Sequence, residues 1–237
     1  MKKKIILSPN YSEKTRFKRK IKFVIFHYTG MQSEIESLRR LLDPKSNVSC
    51  HFLINKKGEI LQMVKENNVA WHAGKSKWKN FNNLNLNSIG IELVNRGHNL
   101  GYENFPPKQI NSLIKLCKYL KKKYKIKAQD FLGHSDVAPL RKIDPGEKFP
   151  WKRLSKLDIG KWYKDLKNLS NENRKKSINV FFLNLHKIGY RYFNLKKRVH
   201  KKDKLIIKAF QQRYNPLEVT GTVDKKTLKI SRFLASY

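Results

Sequence analysis

The segment Ile21-Lys-Phe-Val-Ile-Phe-His27 is the first indication of the fold class of this chain. It is short, apolar and rich in residues that favour strands, which predicts a buried strand over residues 21–26 that delivers His27 at its end. Ser33 and Glu36 then form a capping-box pattern, which predicts that a helix begins after Ser33. A strand followed directly by a helix is typical of α/β domains.

The segments that follow continue this pattern. Residues 51–64 predict a β-hairpin, because two apolar runs flank Asn55-Lys-Lys-Gly58 and glycine supplies the positive φ of the turn. Ser88-Ile-Gly-Ile-Glu-Leu-Val94 predicts another strand, on which Glu92 points to the opposite face from its apolar neighbours. After Pro107, apolar residues recur at helical spacing. The order of elements predicts a mixed central β-sheet flanked by helices.

The last third of the chain has a different character. Residues 164–176 are polar and charged without an apolar period, which predicts a linker. Three helices are expected in residues 177–237, where Gly189 ends the first, Asp203 caps the second and Asp224 caps the third. The predicted fold class is therefore α/β, with a mixed central β-sheet flanked by helices and followed by a small three-helix module.

The composition is strongly basic. The 237 residues include 53 Lys+Arg against 18 Asp+Glu, a formal net charge of +35. This charge attracts anionic polymers, both nucleic acids and cell-wall peptides with free carboxylates. Only 12 of the 53 basic residues are Arg, and the lysines are spread along the whole chain. Because base-reading contacts favour Arg, we expect no specific nucleic-acid partner.

Other features limit the class of protein. No apolar run approaches the roughly 18 residues that cross a bilayer, so no integral membrane segment is expected. The apolar stretch at the N-terminus stops at Ser8-Pro9, too early for an export signal, which predicts a cytoplasmic location with the periplasm or cell envelope as the alternative. Cys50 and Cys117 are expected to be buried free thiols. We expect a monomer.

Two histidines and one aspartate have the pattern of a metal site. His27 and His134 each follow a short apolar run, and Asp144 comes ten residues after His134. Two histidines, one carboxylate and an open position form the ligand set of a catalytic zinc site. The spacing alone is equally compatible with hydrogen-bonded structural histidines, and both interpretations stay open at this point.

Several blocks of sequence stand out between residue 20 and Trp162. They are Phe26-His-Tyr-Thr29, Val48-Ser-Cys-His-Phe-Leu-Ile54, Ala70-Trp-His-Ala-Gly74, Ser88-Ile-Gly-Ile-Glu-Leu-Val-Asn95, Gly133-His-Ser-Asp-Val-Ala-Pro139 and Arg141-Lys-Ile-Asp-Pro-Gly146. In this order they resemble the type 2 N-acetylmuramoyl-L-alanine amidases, zinc enzymes that include the recycling and phage lysozyme-type amidases. Leu185-His-Lys-Ile-Gly-Tyr190 and Ala209-Phe-Gln-Gln-Arg-Tyr214 resemble the peptidoglycan-binding module that follows some of these amidases.

The resemblance implies a function and a site. It implies hydrolysis of the amide between N-acetylmuramic acid, intact or in the 1,6-anhydro form, and L-alanine, in peptidoglycan or muropeptides during cell-wall turnover or recycling. It makes His27, His134 and Asp144 the ligands of one Zn²⁺, Glu92 the acid/base and Lys142 the oxyanion partner. It also implies a catalytic domain over residues 1–163, a linker over 164–176 and a peptidoglycan-binding domain over 177–237.

The roles of three further residues stay open. His72, beside Trp71, is as compatible with substrate contact as with a hydrogen bond in the core, and Trp71 is a candidate for substrate binding. His51 is expected to be structural, although Cys50 beside it makes metal binding chemically feasible. A non-catalytic peptidoglycan receptor on the same fold and a nucleic-acid-binding protein are the competing functions.

Overall fold

The structure is a computed structural model that describes residues 3–13, 16, 20–164 and 174–236. Its strands are β1 (Lys4–Ile5), β2 (Tyr11–Ser12), β3 (Phe23–Tyr28), β4 (Phe52–Ile54), β5 (Ile60–Gln62), β6 (Val69–Ala70), β7 (Lys77–Trp78), β8 (Phe81–Asn82), β9 (Ser88–Leu93) and β10 (Phe131–Gly133). Its α-helices are α1 (Glu34–Leu42), α2 (Pro107–Tyr124), α3 (His134–Val137), α4 (Trp151–Ser155), α5 (Arg174–Ile188), α6 (His200–Tyr214) and α7 (Lys225–Ala235).

Six strands form the central sheet, in the order β1-β5-β4-β9-β3-β10. The β4–β5 pair is antiparallel and every other pair in this sheet is parallel, so the predicted mixed sheet is confirmed. The register of β3 and β9 places His27 opposite Glu92. Because successive residues of a strand point to opposite faces, these two side chains lie on one face near the carboxyl ends of neighbouring strands.

Most of the predicted elements are confirmed, with small shifts. The strand predicted over residues 21–26 is β3, which runs over Phe23–Tyr28, so His27 lies inside it. Ser33 caps α1 through a bond from the Glu36 N–H (3.2 Å). β4 and β5 form the predicted hairpin, whose turn contains Gly58 at φ +87°.

The sheet is covered on both faces. Val24 and Phe26 of β3 belong to one apolar cluster, which includes the inner face of α2. Phe23 and Ile25 of the same strand belong to a second cluster, on the face toward which His27 points. The two cysteines are free and buried, as expected.

The C-terminal helices contribute to that second cluster. Phe181 of α5 and Phe210 of α6 pack in the cluster that contains Ile25, so these helices and the sheet share apolar core residues. The ion pair of Arg213 with Asp136 of α3 is fully buried. The helical module is therefore packed on the part of the fold that carries His134.

The ends of the three C-terminal helices agree only in part with the ends predicted from the sequence. Helix α5 begins at Arg174, and residues 165–173 of the predicted linker lie outside the described residues. Gly189 follows α5 at φ +139° and Asp224 caps α7, as predicted. The prediction for Asp203 is wrong. Val199 caps α6, and the Asp203 carboxylate accepts a bond from the Val199 N–H (3.2 Å) from inside the first turn.

None of the helices that the structure describes has both the length and the apolar character of a bilayer-spanning helix.

Candidate active site

Three of the predicted site residues lie together in a buried cluster. The Nδ1 atoms of His27 and His134 are 2.9 Å apart, and Asp144 Oδ2 lies 3.1 Å from the first and 3.0 Å from the second. Strand β3 supplies His27, and α3 begins with His134 directly after β10, the neighbour of β3. A bond from the Ser135 N–H to the Asp144 carbonyl (2.8 Å) holds the Asp144 loop against α3.

This donor set fits a metal ion. His134 Nε2 lies 3.2 Å from the Ala73 carbonyl oxygen, which can only accept, and 3.4 Å from Arg141 Nη2, which can only donate. A bond to the nearer carbonyl puts the proton on Nε2 and turns the Nδ1 lone pair toward the cluster. Burial, together with His134, lowers the pKa of His27 to about 4, so His27 is neutral at pH 7 as a metal ligand must be. Tetrahedral ligands of zinc lie about 3.3 Å from one another, close to the observed separations. The three side chains could therefore hold a metal ion.

Glu92 lies beside the cluster on the neighbouring strand. It is half-buried, and its Oε2 is buried without a hydrogen-bond partner among the described residues. Burial, and next the Asp144 carboxylate, raise the pKa of Glu92 to about 8. A carboxylate with this pKa can both accept and donate a proton near neutral pH.

Lys142 and Trp71 line the same cleft, which has a volume of about 570 Å³. Lys142 is half-buried and forms no ion pair within the described part of the chain, so its charge is available to a bound group. The Trp71 indole N–H donates to Ser12 Oγ (3.0 Å), which fixes the ring in the wall of the cleft.

The two histidines whose roles were open, His72 and His51, lie at different distances from the cluster. His72 is buried and lies behind His27, with its Nδ1 3.0 Å from His27 Nε2. His72 also lines the cleft, so its position is compatible with both a hydrogen bond in the core and a substrate contact. His51 is also buried, and its Nδ1 accepts a bond from the Gly90 N–H (3.0 Å). It is absent from the cluster formed by the three predicted ligands.

Several residues near the cluster were not singled out from the sequence. Ser88 and Gly90 alternate with Ile89 and Ile91 ahead of Glu92. This period of two could have placed Ser88 and Gly90 on the same face of the strand as Glu92. Arg213 carried no such signal, because its partner Asp136 lies 77 residues away. Asp136 also accepts bonds from the Tyr190 hydroxyl (2.5 Å) and from the Gly133 N–H (2.7 Å).

The sequence profile of the N-acetylmuramoyl-L-alanine amidase family matches residues 17–147, which contain the whole cluster. The chain belongs to this family. It is an N-acetylmuramoyl-L-alanine amidase, an enzyme that cleaves the amide between N-acetylmuramic acid and L-alanine.

Relatives of this amidase support the assignment along most of its length. It is 35% identical to the N-acetylmuramoyl-L-alanine amidase AmiD of Escherichia coli over 230 residues, 91% of this chain and 82% of AmiD. It is 34% identical to the 1,6-anhydro-N-acetylmuramyl-L-alanine amidase AmpD of Haemophilus influenzae, with 62% of this chain and 88% of AmpD covered.

A solved structure of AmiD extends the likeness to the fold. This structure is a complex of the E. coli enzyme with the substrate anhydro-N-acetylmuramic acid-L-Ala-D-gamma-Glu-L-Lys. It matches with a TM-score of 0.82 at 32% identity, over 95% of this amidase and 91% of AmiD. The C-terminal helices of this amidase therefore lie largely within the matched region.

Proposed function

We propose that this amidase is a zinc enzyme in which His27, His134 and Asp144 hold the ion. The observation that carries the proposal is the buried triangle of two Nδ1 atoms and one carboxylate oxygen, each 2.9–3.1 Å from the others, in the cleft. When bound, zinc supplies an electrophile that polarises a carbonyl and lowers the pKa of water to about 7.

In this proposal Glu92 moves the proton. Its Oε2 accepts a proton from the attacking water and later donates that proton to the departing L-alanine nitrogen, since an amide anion is a poor leaving group. The pKa of about 8 and the unpartnered Oε2 beside His27 support this role. A purely structural glutamate at this position would be expected to pair with a cation or an N–H group.

Lys142 is proposed to stabilise the developing negative charge. Lys142 lines the cleft together with Glu92 and Asp144. Its backbone N–H bonds to the Ala138 carbonyl (3.0 Å), which closes a short turn after α3. A positive charge fixed against the carbonyl oxygen stabilises the tetrahedral intermediate more than the substrate, which accelerates the reaction.

The proposed substrates are muropeptides and peptidoglycan, with the anhydro form of N-acetylmuramic acid accepted. The AmiD complex contains an anhydro-muropeptide and AmpD is named for the 1,6-anhydro substrate, and both relatives support this choice. Trp71 offers an aromatic face to the substrate from the wall of the cleft.

The last part of the proposal concerns the domains. We propose a catalytic domain over residues 1–163 and a peptidoglycan-binding module over residues 177–237, working as a monomer in bacterial cell-wall turnover or recycling. The three helices α5–α7 and their basic surface support attachment to a polymer that bears carboxylates.

The test is to incubate the purified full-length protein with an anhydro-muropeptide or with sacculi, with and without a chelator, and to analyse the products by mass. We expect release of the peptide, loss of release with chelator and recovery with Zn²⁺. His134→Ala should abolish both zinc retention and release, whereas the exposed His186→Ala should leave both unchanged. If the zinc-loaded protein bound the muropeptide without cleaving it, the proposed zinc mechanism would be wrong, and a non-catalytic peptidoglycan receptor would be favoured.

A further inference from the structure

A chain of hydrogen bonds runs from a backbone carbonyl to His27. The Ser88 Oγ lies 2.6 Å from the Leu84 carbonyl oxygen and 3.1 Å from His72 Nε2. His72 Nδ1 in turn lies 3.0 Å from His27 Nε2. The side chains of Ser88, His72 and His27 are all buried.

The chemistry of these groups permits only one direction for the chain. A carbonyl oxygen can only accept, so the Ser88 hydroxyl donates to Leu84 and its oxygen is left to accept from His72 Nε2–H. His72 is buried with no carboxylate bonded to it among the described residues, so it is neutral and carries a single ring proton. Its Nδ1 therefore accepts from His27 Nε2–H, and the lone pair of His27 is on Nδ1, the atom that faces His134 and Asp144.

Local packing holds the His72 ring in this position. The backbone N–H groups of His72 and Ala73 donate to the Asn85 side-chain oxygen at 3.2 and 2.7 Å. A Cβ atom at Gly90 would lie 2.3 Å from the Cγ of His72, so only glycine leaves room for the ring against β9. The His72 ring meets the His27 ring edge-on, with centroids 5.1 Å apart.

We propose that His72, anchored by Ser88, is a positioning residue that holds His27 in the tautomer and orientation required for metal binding. It acts through His27 and contacts neither the metal nor the scissile bond. The inference rests on the proposed metal centre. In this arrangement a backbone carbonyl determines which ring nitrogen of each histidine carries the proton. The Ala73 carbonyl bonds to His134 directly, and the Leu84 carbonyl acts on His27 through Ser88 and His72.

The first test measures zinc affinity by competition with a chelator, using the ion alone. His72→Leu removes the acceptor at similar size, and we expect its zinc dissociation constant to rise about 10- to 100-fold, as for other outer partners of metal-binding histidines. His72→Asn restores an acceptor near the Nδ1 position and should recover part of this loss. Ser88→Ala should raise the dissociation constant by roughly three- to tenfold.

Ser231→Ala is the matched control. Ser231 is also buried, donates to a carbonyl (Leu228, 2.7 Å) and accepts from a side-chain N–H (Asn184, 3.1 Å), but it lies in α7. Its zinc affinity should equal that of wild type. Wild-type affinity in both His72→Leu and Ser88→Ala would overturn the inference while leaving the metal centre in place. A wild-type protein that bound no zinc would overturn the metal centre and the inference together.

The second test needs no metal. Histidine ring ¹⁵N NMR on the metal-free protein should place the proton of His72 on Nε2 and leave its Nδ1 unprotonated, with the same tautomer for His27. A proton on His72 Nδ1 would overturn the inference, because the lone pair of His27 would then face His72 instead of the cluster.

Discussion

Among single residues, two ionisable side chains face the cleft from different parts of the chain. Glu92 comes from β9 and Lys142 from the loop that follows α3. Within the described part of the chain these two side chains form no ion pair with each other, and the pKa of about 8 leaves the Glu92 carboxyl largely protonated at pH 7 while Lys142 carries its charge. Substitutions that keep their shape can therefore test the two proposed roles separately.

Glu92→Gln keeps the shape of the side chain and removes its ability to take up a proton. We expect zinc content and substrate affinity to persist while the turnover rate falls by roughly two to four orders of magnitude. Glu66→Gln is the control, because Glu66 is a buried glutamate that pairs with Lys123 (3.0 Å) outside the cleft. It should lower stability and leave turnover unchanged. A zinc-loaded Glu92→Gln protein within about threefold of wild-type turnover would remove Glu92 from the mechanism.

Lys142→Met removes the positive charge and keeps most of the side-chain length. We expect kcat to fall by about 10²- to 10³-fold with little change in zinc content, since the charge acts mainly on the intermediate. Lys148→Met provides the control in the same loop, where the ammonium group donates to the Tyr102 carbonyl (2.7 Å) instead. A rise in KM at constant kcat would show that Lys142 only binds substrate.

At the scale of elements, strand β9 contributes three different groups to one face. Ser88, Gly90 and Glu92 alternate with buried isoleucines that belong to the apolar cluster on the other face. On this face Ser88 anchors His72, Gly90 leaves space for the His72 ring and Glu92 supplies the carboxylate of the cleft. All three share the face because side chains of a strand alternate with a period of two.

Gly90→Ala tests the space on this strand. The added methyl group would overlap the His72 ring, so we expect zinc affinity to fall at least tenfold and the free energy of unfolding to fall by about 1–3 kcal/mol. Ile89→Val, on the opposite face, should cost about 0.5–1.5 kcal/mol and leave zinc affinity unchanged. Chelator competition and denaturant unfolding measure the two quantities. Wild-type zinc affinity in Gly90→Ala would contradict the expected contact.

At the scale of the whole molecule, the C-terminal helices support the site. Arg213 of α6 pairs with Asp136, donates to the Phe131 carbonyl (3.1 Å) and stacks on the Trp151 ring (3.9 Å to its centroid). Asp136 lies two residues after His134. The helical module thus holds the helix that carries one of the proposed zinc ligands.

Arg213→Met should therefore destabilise the whole protein. It leaves the buried Asp136 carboxylate without its cation, which typically costs about 3–5 kcal/mol in the free energy of unfolding. Adding Asp136→Asn removes the uncompensated charge, and we expect part of the stability to return in the double variant. Arg153→Met, an exposed arginine, is the control and should stay within about 0.5 kcal/mol of wild type. Equal melting curves for Arg213→Met and Arg153→Met would show that the buried pair does not hold the two parts together.

Local elements and the residue types of the site could be predicted from the amino-acid sequence. The strand with His27, the helix capped by Ser33 and the hairpin with Gly58 all follow from patterns that span a few residues. Such patterns report interactions between near neighbours, which the chain makes wherever the element lies. Asp203 shows the limit of this reasoning, because a capping residue type sits four positions after the actual cap.

The way in which these elements meet could not be predicted from the sequence and became known from the three-dimensional structure. His27 and His134 are 107 residues apart in sequence, His27 and His72 are 45 apart, and Asp136 and Arg213 are 77 apart. Each of these contacts depends on the packing of several elements at once, which no local pattern contains. The function of His72 changes with that packing: in the sequence it was equally a substrate contact or a core residue, and its place behind His27 exists only because β9 carries a glycine there.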